Sequence, residues 1–169
     1  DERLYLSVRY SIPTELLDCL LKSYDVGALE SMFTAFEREK ATYIRCNTSK
    51  LTADELASHL RDEGVSVSKL EEYPQLDYAL KISGYDYLRK LKSFADGEFQ
   101  VQDLSSMLAG EGNIIKETDE IIDVCAAPGG KSINAALKAV RGHVEARDIS
   151  EKKTAMIEEN IERLGLQNI

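Results

Sequence analysis

Residues 125–132 read C-A-A-P-G-G-K-S and follow the apolar run I-I-D-V. An apolar run leading into a glycine-rich turn and then a helix aims backbone N–H groups at whatever lies over the helix N-terminus, where polar or anionic ligand groups are stabilised. Gly129 and Gly130 allow close approach because they lack a Cβ. Asp148 stands 18 residues after Gly130, at the end of a second predicted strand. A carboxylate there is placed to accept both ribose hydroxyls of a nucleoside. Gly130, Lys131 and Ser132 also match the end of a phosphate-wrapping loop, G-x-x-x-x-G-K-[ST]. The first glycine of that pattern falls on Cys125, and Pro128 removes an amide, so an adenosyl ligand without phosphates fits better than a nucleoside triphosphate.

The other reactive side chains are scattered. Cys19, Cys46 and Cys125 form no C-x-x-C pair, and His59 and His143 are the only histidines. Neither a disulfide framework nor a zinc site is expected, which suits a reducing cytoplasm. Cys19, on the apolar side of a predicted helix, and Cys46, in a predicted strand, read as small packing residues. The two histidines read as surface or strand-edge residues without partners. Net charge is −9 over 169 residues, with −6 in residues 1–110 and −3 in residues 111–169, so neither part is a basic module. A nucleic-acid face would have to be a minority surface. Its candidates are Arg38, Lys40, Arg45 and Lys50 around one predicted strand, and Arg89, Lys90 and Lys92 in one predicted helix. The bland alternative for each group is solvated surface charge. No apolar run approaches the roughly 20 residues of a membrane span, and D-E-R-L-Y-L is not a signal-peptide start.

The positioning elements follow from periodicity and punctuation. Residues 13–24 predict a helix opened by Pro13, with a second helix to about residue 37. T-Y-I-R-C-N (42–47) alternates as a strand. Thr52 and Glu55 form a capping box for a helix to about Glu63. Strands are expected at 65–70 and 77–83, a helix near 85–94, a turn at Asp96-Gly97, a strand F-Q-V and a helix over 103–108. From residue 120 the rhythm becomes strand, glycine loop, helix, strand, helix, the last running from Glu151 to Leu164 before Gly165. This is a βαβ unit whose first strand reads as buried. Two parallel strands do not make a stable open sheet, so further strands and a cut chain are expected, with an apolar edge that self-associates or stays poorly ordered.

D-V-C-A-A-P-G-G-K-S (123–132) resembles the cofactor loop of the RsmB/Sun family of RNA 5-methylcytosine methyltransferases. R-Y-S-I-P (9–13), Y-I-R-C-N-T (43–48), F-x-x-G-x-F-Q-V-Q-D-L-S-S (94–106), Asp148 and E-N-I-E-R-L-G (159–165) agree in order with that family. The resemblance implies S-adenosyl-L-methionine as cofactor, with Cys125, Ala126, Ala127, Pro128, Gly129, Gly130 and Lys131 around it and Asp148 on its ribose. Gln102 and Asp103 either cap the helix that begins there or line the cofactor pocket. The family's catalytic cysteines lie in Asp-Ala-Pro-Cys and Thr-Cys-Ser stretches, and neither occurs in these residues. Cys125 takes a cofactor-side position in the motif and no bond-making role. The expected fold is an α+β N-terminal, RNA-presenting module over residues 1–112, followed at 113–169 by the first βαβα part of an incomplete Rossmann-like methyltransferase domain. The expected whole is a cytoplasmic enzyme acting on RNA, ribosomal RNA in particular, with no membrane partner, and this chain alone is inactive. A different class of reading is a non-catalytic RNA-binding or ribosome-assembly module with a vestigial cofactor loop.

Overall fold

The structure is a computed structural model that describes residues 1–37, 41–112 and 114–169. The chain divides into two compact units, Asp1–Lys40 and Ala41–Ile169, and the boundary expected at residue 112 falls inside the second.

The first unit is helical: α1 (Glu2–Tyr10), α2 (Thr14–Leu20) and α3 (Val26–Glu37), around Leu6, Leu17, Leu29 and Phe33. α1 is absent from the sequence reading. It starts where the Asp1 carboxylate accepts the amides of Arg3 and Leu4, and stops where Ser11 turns left-handed at φ 56°. α2 is shorter than expected and leaves Cys19 exposed, so that cysteine is not a packing residue.

The second unit holds two sheets. β1 (Thr42–Cys46), β2 (Ser66–Lys69), β3 (Ala79–Ser83) and β4 (Phe99–Val101) form an antiparallel sheet in the order β2-β3-β1-β4. Ile44 lies opposite Leu80 and Val101, while Arg45 lies opposite Ala79 and Gln100. Alternation therefore sends Ile44, Cys46, Leu80, Ile82 and Phe99 to one face. There they pack with Leu56, Ala57 and Leu60 of α4 (Ala53–Asp62) in the largest apolar core. The capping box at Thr52 and Glu55 forms as expected, with the Glu55 carboxylate accepting the Thr52 amide at 2.8 Å. The helix expected over 85–94 is instead a 3₁₀ turn, Leu88–Lys90, and a short α5 (Lys92–Ala95). The restart has a cause: the Glu63 carboxylate accepts the amides of Lys92 and Ser93.

α6 (Leu104–Glu111) leads to β5 (Glu120–Asp123), α7 (Gly130–Lys138), β6 (His143–Ala146) and α8 (Glu151–Leu164). β5 and β6 pair in parallel, from Glu120 opposite His143 to Asp123 opposite Ala146. Ile133, Ala136, Val144 and Leu164 form their core. β5 is less buried than its apolar run suggests, since Ile122 is 59% exposed and Val124 just beyond it is 69% exposed. Among the described residues its one strand partner is β6, so one face and one edge of the run lie uncovered. Among the described residues, no helix is long and apolar enough to cross a membrane.

Candidate functional site

The loop between β5 and α7 is tied from inside by its own chain. Asp123 ends β5 and accepts the Cys125 amide at 3.2 Å on one oxygen and the Ser132 hydroxyl at 2.6 Å on the other. The Ala126 amide donates to the Arg147 carbonyl at 2.9 Å, and the Gly129 amide to the Ala126 carbonyl at 2.7 Å. The Ala127 amide donates to the Asp148 carboxylate at 3.1 Å. The amides of 125, 126, 127 and 129 are engaged and Pro128 has none, so among residues 125–129 there is no run of free amides with which to wrap a triphosphate. Gly129 sits at φ +98°, and a Cβ there would stand 3.2 Å from Ile133 Cδ1. That position requires glycine. Gly130 does not in the same way, since a Cβ on it would meet Gln102 at an ordinary 3.7 Å.

The Asp148 side chain is 7% exposed and lies 3.5 Å from the Lys153 ammonium. It accepts the Ile149 amide at 2.8 Å as well as that of Ala127. Desolvation pushes its acid constant up, but the two amides and Lys153 outweigh this and hold the carboxyl below its usual range. Asp148 is thus a pinned anion beside the glycine turn. Ile149, next to it, is 99% exposed. Lys131 is also exposed and lines, with Asp123, Val124 and Ser132, a cleft of about 490 Å³ beside β5. Cys125 is exposed in the loop.

Several residues that shape the loop were not picked out by sequence reasoning. Asn160 of α8 donates to the Pro128 carbonyl at 3.1 Å. Arg45, read as part of a basic surface, is 1% exposed and donates to the Gly130 carbonyl at 2.6 Å and to Gln102 Oε1. Arg45 is therefore withdrawn from the nucleic-acid candidates, because the sheet face it occupies is covered. Arg38 and Lys40 of that group lie outside the described residues, and Lys50 donates to the Asp96 carbonyl at 2.7 Å. The other basic group is balanced by acids: Arg89 with Glu159, Lys90 with Asp86, and Lys92 with Asp96. Gln102 accepts from Arg45 and leans on Gly130, whereas Asp103 precedes α6 without a capping hydrogen bond from its side chain. Cys46 is buried, and burial pushes its thiol up to about 12, as for a packing residue. His59 is not partnerless: its Nδ1 lies 2.9 Å from Glu98.

Residues 114–169 match the family described as 16S rRNA methyltransferase RsmB/F. The ribosomal RNA small subunit methyltransferase B of Proteus mirabilis is 29% identical over 94% of this chain, which spans 36% of that protein. A probable ribosomal RNA small subunit methyltransferase B of Bacillus subtilis is 35% identical over 73% of the chain and 27% of its own length. The crystal structure of PH0851 superposes with a TM-score of 0.86 at 26% identity, over 99% of this chain and 38% of that one. The chain thus spans little more than a third of the relatives it matches along nearly its whole length. With the cofactor-loop motif, the acidic partner and the upstream strand all found in the folded unit, this chain belongs to the RsmB/Sun family.

Proposed function

We propose that this chain is the cofactor-holding portion of an S-adenosyl-L-methionine-dependent RNA cytosine carbon-5 methyltransferase of the cytoplasm, acting on ribosomal RNA. In this reading the N-terminal, RNA-presenting part runs over residues 1–112, taking in the first compact unit and the start of the second, and residues 113–169 begin a Rossmann-like methyltransferase domain. The observation that carries the reading is Asp148, a nearly buried carboxylate held by the amides of Ala127 and Ile149 beside a turn that needs glycine at 129.

Each loop residue then has a part. Asp148 accepts the ribose hydroxyls, held as a carboxylate by the amides of Ala127 and Ile149 and by Lys153. Ile149 offers an apolar surface for a base to pack on. The backbone from Cys125 to Gly130 shapes the cradle, and Lys131 sets a cation at its mouth. Bound S-adenosylmethionine supplies an electrophilic methyl group on a sulfonium. Carbon 5 of cytosine is a poor nucleophile until a thiolate adds at carbon 6. The family's two cysteine stretches are not among these 169 residues. The chain alone is therefore expected to bind cofactor without turning over. A paired target base must also leave its stack to be reached.

Calorimetric titration tests this. S-adenosylmethionine should bind the chain, Mg-ATP should not, and Asp148→Ala should abolish the heat. Binding of ATP in place of S-adenosylmethionine would overturn the reading.

A further inference from the structure

The sheet face opposite α4 carries an apolar cluster of Leu76, Ala79 and Met107 and, beside it toward β4, a polar end that meets the cofactor loop. Arg45, Gln100, Gln102 and Asn47 are each less than a tenth exposed. Asn47 donates to the carbonyls of Gly97 and Leu164, at 2.8 and 2.9 Å. Arg45 reaches past Gln102 to the Gly130 carbonyl. Two residues apart on one strand end, they grip the start of α7 and the end of α8.

Arg45 is badly used if its task is stability. Among the described residues no carboxylate pairs with it, and its Nε and Nη2 are buried without a partner, as is Gln102 Nε2. A buried charge with unmade hydrogen bonds is costly, and an apolar side chain of similar volume commonly serves stability as well or better. What Arg45 provides and an apolar residue cannot is a donor fixed on the first carbonyl of α7. That carbonyl belongs to Gly130, the residue after the positive-φ turn at Gly129.

We propose that Arg45 is a positioning residue for the cofactor loop: by holding the Gly130 carbonyl it sets the angle at which the Gly129–Lys131 turn leaves β5 and enters α7. The role toward an adenosyl ligand rests on the function proposed above. The role toward the loop does not, and the two separate by experiment. The loop carries no contact to ligand through Arg45 itself; the guanidinium acts through the backbone it holds.

The test compares the wild-type chain with Arg45→Met and Arg45→Lys. Three readouts are taken: amide hydrogen exchange without ligand, thermal melting, and titration with S-adenosylmethionine. Arg45→Met should melt within about 5 °C of wild type, yet exchange faster at Ile133 and Asn134 while β1 and α4 keep their protection. Its affinity for S-adenosylmethionine should fall by about tenfold or more, the scale of a misplaced binding group. Arg45→Lys, which keeps a donor, should recover part of both. Unchanged exchange at α7 in Arg45→Met overturns the proposal, and so does faster exchange spread equally over β1, α4 and α7, which marks a structural role only. Should no form bind S-adenosylmethionine, the cofactor reading fails while the exchange data still decide what Arg45 does to the loop.

Discussion

The two faces of β1 divide labour within five residues. Ile44 and Cys46 enter an apolar core with Leu56, Leu60, Leu80 and Phe99, where each side chain contributes by burial. Arg45 and Asn47, between and beyond them, enter a polar layer where each contributes by direction, donating to named carbonyls of α7 and α8. The first face needs bulk and tolerates a change of shape; the polar layer of the second, set beside the apolar cluster of Leu76, Ala79 and Met107, needs particular donors. Stability should therefore be concentrated on one side of the sheet and loop geometry on the other. The largest expected effect follows directly. Phe99→Ala removes a fully buried ring that packs edge-on to Phe94 with centroids 5.5 Å apart, and should cost about 3–5 kcal/mol by denaturant unfolding. A loss below that of Arg45→Met would break the division.

The polar side has its own weak point at Gly97, which sits at φ +67°. A Cβ there would stand 1.9 Å from the Arg163 carbonyl oxygen, backbone that cannot swing aside, and 2.9 Å from the movable Lys50 Nζ. Gly97→Ala should cost about 1–3 kcal/mol and should loosen the last turn of α8, where Asn47 and Arg163 tie it to the sheet. Hydrogen exchange read at residues 161–166 checks this. If α4 and the apolar core open instead, the grip on α8 is not where the polar layer acts.

What the sequence made legible was local. The capping box at Thr52 and Glu55, the strand F-Q-V, the stop at Gly165 and the turn at Gly129 all rest on side chains or backbone within a few residues of one another. The Asp148 relation is longer but follows from a parallel unit with fixed geometry. Arg45 was misread for a definite reason. Alternation in T-Y-I-R-C-N tells which residues share a face, but not whether that face is covered. Here both are. The same limit explains β5, whose apolar run implies burial on two faces although Ile122 and Val124 are largely exposed. The His59–Glu98 pair spans 39 residues and joins α4 to the residue before β4, so no pattern along the chain could show it.

That pair yields the smallest effect and a check on the apolar side. His59 is half exposed, and its hydrogen bond to Glu98, followed by the charge attraction, raises its acid constant above 6.5. A raised constant means that the folded state holds the proton more tightly than the unfolded one. The contribution is complete below about pH 6.5 and fades as pH climbs through the folded-state value. Because the pair faces water, the gain is small and screened by salt. Proton NMR should show the His59 imidazole titrating above 6.5, and Glu98→Gln should bring it back toward that figure with scarcely any change in melting temperature. The histidine sits on α4, over the apolar face, and touches nothing that holds Gly130. Exchange at the start of α7 in Glu98→Gln should therefore match wild type at every pH, whereas in Arg45→Met it should not. A loop that followed the state of His59 would mean that the two faces of the sheet are coupled through β1 rather than separate.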